Sequence, residues 1–417
     1  MRRGRCSGAE VPPSVLAPSD LIEGQHRPGR CLVGGRVVSS DPDRAWLSDA
    51  FAIRAVSTEA DLTTLPTSGC WALVSGHWDG ERLADARVEQ AWHHPLPRGD
   101  GEQQRFAWRR IASHLQLRGR ALAAIRQWFS DSGFVEVQTP LRVSAPGLDA
   151  EIEPVPAEDG WLVTSPEHHM KRLLVGGMPR IFEVARASRR EELGSLHQPE
   201  FTLIEWYRAF AEPGQLMQDV EHLVKMVVGL VFDRSAIEHH GRRLDLSEPF
   251  VRLSVKDAFS RHAEITDVAQ LADDDPDRYQ RLLVERVEPA LAGYGRGVWL
   301  VDYPASHAAL ARRLPGNEAY ADRFELYLAG VELCNGYGEL TDANEQRSRF
   351  LTELATRERA GRPTYPLDEP FLDALEEGLP PCSGVALGFD RLVMLALGVD
   401  DIADVVAFPF APTLPQS

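Results

Sequence analysis

The chain has 417 residues, 43% of them hydrophobic, which is enough for more than one core and implies two or three domains. Its formal charge of -17 repels polyanions at long range and argues against unspecific nucleic-acid binding. No run reaches the roughly 18 apolar residues of a membrane helix, and Cys6, Cys31, Cys70, Cys334 and Cys382 lack C-x-x-C spacing, so a cytoplasmic chain with free thiols and no membrane association is expected.

Residues 1 to 30 contain PPSVLAPSD and HRPGR without apolar periodicity and read as a loose leader. From 31 to 94, short alternating runs (CLVGGRVVSS, CWALVSGHWDG, ERLADARVEQAWHH) are broken by DPD, PTSG and WDG, which predicts a small OB-like β-barrel. Its four tryptophans, Trp46, Trp71, Trp78 and Trp92, are expected to fill the barrel core rather than stack on bases. Residues 95 to 110 have linker composition, and 111 to 417 form a second domain. There Leu122, Ile125, Trp128 and Phe129 share one helical face that Gly133 would cap, and FVEVQTP reads as a strand ended by Pro140. Strands RIFEVARAS, EFTLIEWY, VWLVDYP, RFELYLAG and VELCNGY then alternate with helices around 214–231, 277–292 and 342–360, an α+β pattern. ADDDPDR near residue 275 reads as a solvated turn.

Several stretches could carry chemistry. SPEHHMKRLL, residues 165–174, fits a metal site, a phosphate grip or a substrate pocket. The pairs His93-His94, His168-His169 and His239-His240 lack the i,i+4 spacing that aims two imidazoles at one ion from a helix, so zinc is not expected. GYGRG at 293–297 follows a helix and precedes a strand, the wrong order for a dinucleotide loop, and reads as a turn. FEVARASRREELGSLHQPEFTLIEWYR forms a hairpin with Arg189 and Glu191 at the loop entrance and Phe201, Leu203, Glu205 and Tyr207 on one face; it is either a salt-bridged surface hairpin or a nucleotide grip. In RFELYLAGVELCNGYGELTD a two-residue turn at Ala329-Gly330 sets Tyr327 opposite Glu332 and Glu325 opposite Cys334, putting Glu325 and Glu332 on one face for magnesium or for an arginine. CSGVALGFDRLVMLALG alternates Gly384, Ala386 and Gly388 before Arg391, which allows close ligand approach or tight strand-helix packing.

Taken in order, TSPEHHMKRLL, HQPEFTLIEWYR, NGYGELTDANEQ and PPCSGVALGFDRLVMLALG resemble class II aminoacyl-tRNA synthetases of the lysine type. More closely, they resemble the truncated lysyl-tRNA synthetase paralogues that ligate beta-lysine to elongation factor P, from about Leu115 to Phe408. The resemblance implies a class II catalytic domain, an antiparallel sheet of six or seven strands flanked by helices, preceded here by the barrel as a possibly degenerate anticodon-binding domain. It implies a homodimer around the helix and strand ending at Pro140, with ATP and Mg2+ as cofactors. Carried over by position, Arg189 holds the α-phosphate, Glu191 the adenine amino group, and Phe201 and Arg391 sandwich the base; Arg189, Glu191 and Arg391 form the catalytic set. Arg190, Gln198, Leu333, Gly388 and Glu332 complete the ATP site, and Glu325 with Glu332 holds magnesium. Ser165, Pro166, Glu167, Tyr207, Glu339 and Ala386 match the amino-acid pocket, Glu167 and Glu339 taking the two amines. Alanine at 386, where tRNA-charging relatives usually have glycine, favours (R)-beta-lysine over lysine and elongation factor P over tRNA as acceptor. The loop departs from the family pattern at Ser188, Arg190, Ser195, Leu196 and Gln198. A lysyl-tRNA synthetase and a non-catalytic paralogue acting as a sensor or binding module are the alternatives.

Overall fold

The computed structural model describes residues 15–22, 26–40, 44–57, 68–93, 101–102, 105–106, 109–148 and 152–410. Cys6, His94, most of the expected leader's first half and part of the expected linker lie outside them. The chain divides into two compact units, Met1–Gln116 and Leu117–Ser417.

The first unit is built from β1 (Val15–Leu16), β2 (Gly29–Ser40), β3 (Arg44–Ser48), β4 (Ile53–Ser57), β5 (Trp71–Trp78) and β6 (Leu83–Trp92). The order β2-β3-β4-β6-β5 closes through a β2–β5 pairing, giving the five-stranded OB-like barrel, and β1 adds to β2 in parallel from within the segment read as leader. Val33, Val37, Leu47, Val74, Trp78 and Leu83 fill it. The expectation for the tryptophans is corrected: Trp78 alone of the four is fully buried, while Trp71 and Trp92, paired across strands, are 40% and 44% exposed. Trp71 lies seven residues before Trp78 on β5, and an odd spacing on a strand puts the two on opposite faces.

The second unit carries a sheet of β7 (Val135–Glu136), β8 (Arg180–Ser188), β9 (Glu200–Ala209), β10 (Val251–Ser254), β11 (Val298–Pro304), β12 (Asn317–Leu328), β13 (Val331–Gly338) and β14 (Cys382–Gly388). Its path is β10-β11-β12-β13-β14-β9-β8-β7, with Arg313–Leu314 pairing β12 off the path. The six inner strands are antiparallel, and the two outermost pairs are parallel. Of FVEVQTP only Val135–Glu136 is strand.

Helices α1 (Ile111–Asp131), α2 (Glu167–Val175), α3 (Pro213–Met226), α4 (Ala343–Arg359), α5 (Glu369–Gly378) and α6 (Phe389–Leu397) surround the sheet. Alternation decides its two faces. Ile204, Trp206, Val385 and Leu387 join one core with Ile125 and Phe129 of α1, Val220 of α3 and Met394 of α6. Their neighbours Glu205, Tyr207, Gly384 and Ala386 face the other way, into a cleft. Gly133 ends α1 with φ +75°, as its spacing predicts.

The β12–β13 turn is a two-residue Ala329-Gly330 connection with both φ positive (52° and 85°), the hairpin geometry that glycine favours. Tyr327 opposes Glu332 as expected, but Glu325 opposes Asn335 rather than Cys334. A register shift between Leu326 and Tyr327 leaves Leu333 as an extra, bulged residue, so every pairing beyond it moves by one. Glu325 and Glu332 still share a face. GYGRG is a turn with Gly295 at φ +66°. Within ADDDPDR, Asp275 caps the helix Pro276–Leu282 by accepting from Arg278 N, so the segment is a helix junction, not a bare solvated turn.

Candidate active site

A cleft of about 980 Å3 opens on the polar face of the second unit's sheet. This is room for a nucleotide and an amino acid together. Strand pairing sets its floor: Glu205, Ala386, Asn335 and Glu325 lie in one row across four strands, and Glu183 continues the row beyond the lining. Beneath it, Arg118 pairs with Asp390 at the start of α6, and Asp390 Oδ2 accepts from Thr202 N at 2.8 Å, which ties the helix carrying Arg391 to the floor.

At one end α2 begins beside β9. Ser165 Oγ donates to Glu205 Oε2 at 2.9 Å and accepts from Glu167 N at 3.2 Å, and Tyr207 Oη donates to Glu205 Oε1 at 2.7 Å. Lys171, one helical turn after Glu167, is fully buried and lies 2.6 Å from Glu167 Oε1 and 2.6 Å from Glu339 Oε2. Among the described residues Glu339 Oε1 has no hydrogen-bond partner. Two carboxylates thus share one resident ammonium, whose charge also reaches the neighbouring Glu205. Burial, then the charge of Glu167, pushes the Glu205 carboxyl up to about 8, and burial pushes Glu339 up to about 7 against the pull of Lys171. Tyr207 is raised further by burial and Glu205, which keeps its phenol protonated as a donor.

The other end is built from β8, β9, β12, β13 and α6. The Arg189 guanidinium lies 5.1 Å above the Phe201 ring and pairs with Glu192 at 3.1 Å. Arg391 donates to Glu332 O at 2.9 Å, Leu196 O at 3.3 Å and His197 Nε2 at 2.5 Å, and burial followed by the Arg391 charge holds His197 neutral enough to accept. Glu325, buried, accepts from Tyr327 Oη at 2.8 Å, from Tyr303 Oη and from Arg323. Burial, then the charge of Glu325, pushes Glu332 up.

Ser165, Glu167, Tyr207 and Ala386 line the first end; Arg189, Gln198, Phe201, Leu333, Gly388 and Arg391 line the second with Glu325 and Glu332. Four expected site residues stand elsewhere. Arg190 and Glu191 are exposed and outside the lining, because β8 stops at Ser188 and the chain turns, so the i,i+3 residue Glu192 takes the place that continued alternation would have given Glu191. Pro166 is buried at the start of α2, with its carbonyl accepting from Met170 N. Glu339 lies behind the lining against Lys171. The sequence reading assigned no role to Lys171, Glu205, Arg323, Asn335 or Glu288. Glu205 was legible from alternation with Tyr207, and Lys171 from its i,i+4 offset to Glu167; nothing local marks Glu288, which burial pushes up to about 7 and whose Oε1 lies 3.1 Å from Tyr327 Oη.

The small residues of β14 divide in role. A Cβ on Gly384 would stand 2.2 Å from Tyr207 Cε1 and 2.7 Å from Glu339 Oε1, so this glycine makes room for the pocket's own side chains. On Gly388 a Cβ would meet Leu333 O no closer than 3.5 Å, leaving that position open toward the cleft.

This polar cleft on a six-stranded antiparallel core defines a class of enzyme, and residues 105–412 match the family described as tRNA synthetases class II (D, K and N). The chain belongs to that family and is an ATP-dependent ligase of the class II synthetase type. It is similar to the protein named elongation factor P–(R)-beta-lysine ligase from Yersinia enterocolitica, 39% identical over 326 residues that cover 71% of this chain and 95% of that protein. The protein of the same name from Salmonella dublin is 39% identical over 332 residues, covering 72% of this chain and 97% of that protein. The barrel lies outside the family match. Among the described residues no helix is long and apolar enough to cross a membrane.

Proposed function

We propose that the chain activates a diamino acid, (R)-beta-lysine before lysine, as an adenylate and transfers it to a lysine side chain of elongation factor P in the cytoplasm. The observation that carries the reading is the charge count of the pocket: Glu167, Glu205 and Glu339 against Lys171 leave two negative charges when all three acids are ionised, the complement of a substrate with two ammonium groups. Glu205 lines the cleft and Glu339 Oε1 lies just behind it at Gly384 without a hydrogen-bond partner among the described residues, so these are the acceptors assigned to those amines. The names of the curated relatives support the acceptor and the isomer.

With both amines held, the substrate carboxylate is left to attack the α-phosphorus of ATP; an oxygen–phosphorus bond forms and pyrophosphate leaves. The acceptor amine then attacks the acyl carbon, and AMP leaves. Arg189 over Phe201 and Arg391 beside Glu332 supply positive charge and an aromatic face for the nucleotide, so rate enhancement comes from positioning and charge neutralisation. Glu325 and Glu332 are a hard-oxygen pair that fits Mg2+, which when bound neutralises phosphate charge. Val135 and Leu141, 52% and 51% exposed near Pro140, support a homodimer through that edge.

The barrel favours a second reading. Arg36 lies 4.9 Å over the exposed Trp71 ring, beside Trp92, a stacking surface suited to single-stranded nucleic acid and hence to lysyl-tRNA synthesis. The test offers (R)-beta-lysine and α-lysine, each with ATP, to elongation factor P and to tRNA in parallel. Labelled elongation factor P with beta-lysine is the expected result, and catalytic charging of tRNA with α-lysine would replace this reading with the second.

A further inference from the structure

We propose that His239, His240 and Asp400 form a binding site for a first-row divalent cation of the zinc type, separate from the cleft. Adjacent histidines lack the i,i+4 spacing that aims two imidazoles at one ion from a helix, and on a regular strand they would point to opposite faces. Here the strand Ala236–His239 turns through His240 and Gly241 into Arg242–Asp245, and both turn residues have positive φ, 47° and 72°. A left-handed conformation is uncommon at a residue other than glycine, and at His240 it brings the two imidazoles to one side, ring centres 4.2 Å apart.

Asp400 comes from the segment following α6. Its Oδ1 lies 3.3 Å from His239 Nδ1 and 3.4 Å from His240 Nδ1, and the three ligand atoms all fall within 4.8 Å of one another. Metal–ligand bonds of 2.0–2.1 Å in a tetrahedron require ligand–ligand edges of about 3.3–3.4 Å, so both nitrogen–oxygen separations fit without rearrangement.

A second observation points the same way. His239 is 4% exposed, and its Nδ1 has no hydrogen-bond partner among the described residues although it aims at this cluster. That nitrogen faces the Asp400 carboxylate without hydrogen-bond alignment, an arrangement that either a proton shared with Asp400 or a metal ion between the two satisfies. The nearby Arg234 directs its Nη1 to the carbonyls of Ala396 and Leu397 at 3.2 Å each, so that charge is already engaged at the C-terminus of α6. Two imidazoles and one carboxylate suit zinc better than magnesium, and exposed His240 and Asp400 leave a fourth position for water. Bound there, the ion would fasten the 236–245 hairpin to the end of the helix that carries Arg391.

The experiment uses the full chain stripped by chelator and titrated with Co2+ and then Zn2+. The expected result, with Mg2+ present to occupy the Glu325–Glu332 pair, is one Co2+ per chain with visible d–d absorption of low coordination number, displaced by Zn2+, and a higher thermal midpoint with Zn2+ present. His240→Ala and Asp400→Asn, both at exposed positions, should each weaken Co2+ binding by about tenfold or more, while Glu332→Gln in the cleft should leave it intact. Binding only at millimolar metal, an absorption spectrum of hexa-aqua Co2+, or undiminished affinity in folded His240→Ala and Asp400→Asn would overturn the assignment.

Discussion

Lys171 Nζ lies 2.6 Å from Glu339 Oε2, and neither side chain is accessible to solvent. An ammonium so placed occupies the position that the sequence reading reserved for a substrate amine, and it makes Lys171 part of the pocket's electrostatic design. Removing one member of a buried pair leaves the other uncompensated and costs about 3–5 kcal/mol. Lys171→Met should therefore lower the unfolding free energy by that amount in urea at pH 7.5. The deficit should shrink toward pH 5, where Glu339, pushed up to about 7 by burial, takes up a proton, and Lys171→Met combined with Glu339→Gln should recover part of it. A loss that does not change with pH would mean that lost packing, not stranded charge, explains the destabilisation.

On the proposed reading, Glu205 should set a pH dependence for binding of an ammonium-bearing substrate. In the empty cleft its carboxyl is pushed up to about 8, chiefly by burial, yet it must be ionised to receive an ammonium. Below about pH 8 binding releases a proton, so affinity should rise roughly tenfold per pH unit for one proton between pH 6 and pH 8 and then level off. Calorimetry in buffers of different ionisation enthalpy measures the released proton directly. Glu205→Gln should abolish the release and flatten the profile. The same shift acts on stability with a definite sign: between the ordinary 4.5 and about 8 the folded chain keeps a proton that the unfolded chain loses, so this group's contribution falls as pH rises.

The regular parts of this arrangement were legible in the sequence because strands advertise themselves by period. RIFEVARAS and VWLVDYP match their strands residue for residue, and the shared face of Glu325 and Glu332 follows from the Ala329-Gly330 turn. Irregular backbone was not legible. The bulge at Leu333 and the turn after Ser188 each displace a side chain by one position, giving Asn335 in place of Cys334 opposite Glu325 and Glu192 in place of Glu191 at the cleft. Long-range pairing was not legible either: Lys171 and Glu339 are joined only by the fold, and a buried lysine looks like any other in a charged run. In the barrel, strand offset rather than residue type decides burial: Trp71, seven residues from the buried Trp78 on the same strand, faces outward with its cross-strand partner Trp92.

Arg189 tests the nucleotide end. Its guanidinium is held between the Phe201 ring and Glu192, at the mouth of the cleft. Arg189→Ala should reduce the rate of ATP–pyrophosphate exchange by about 10²–10³, the usual cost of losing one preorganised donor to a developing charge. Thermal stability should change little, because the residue is only partly buried. Arg189→Lys should restore only a fraction of the rate, since a point charge replaces a planar fork.

Gly384→Ala tests whether the shape of the amino-acid end depends on a missing side chain. The added methyl would fall 2.2 and 2.4 Å from Tyr207 ring carbons, closer than any real contact, and Tyr207 is locked in the core. The ring has to move and take its hydrogen bond to Glu205 with it. Overpacking of this kind costs about 1–3 kcal/mol. The informative measurement is the split between KM values: the amino-acid KM should rise at least tenfold while the KM for ATP stays within about twofold, because Gly388 and Arg391 are untouched.

Ala386→Gly addresses which isomer the cleft takes. Ala386 lies on the floor between Glu205 and Asn335, and its methyl is the one side-chain atom that distinguishes this floor from the glycine expected in tRNA-charging relatives. One methyl in a shaped pocket is worth about 1–3 kcal/mol of discrimination. The ratio of kcat/KM for (R)-beta-lysine to that for α-lysine should therefore shift toward α-lysine by about 10- to 200-fold, without a change in ATP affinity. On the proposed reading, a substrate whose amino group sits one carbon further from the carboxylate would leave the floor near its backbone emptier, so the methyl would fill space beside beta-lysine that α-lysine would need for its own amine. An unchanged ratio would sink that explanation and move isomer choice to the spacing between Glu205 and Glu339, which Ala386→Gly does not alter.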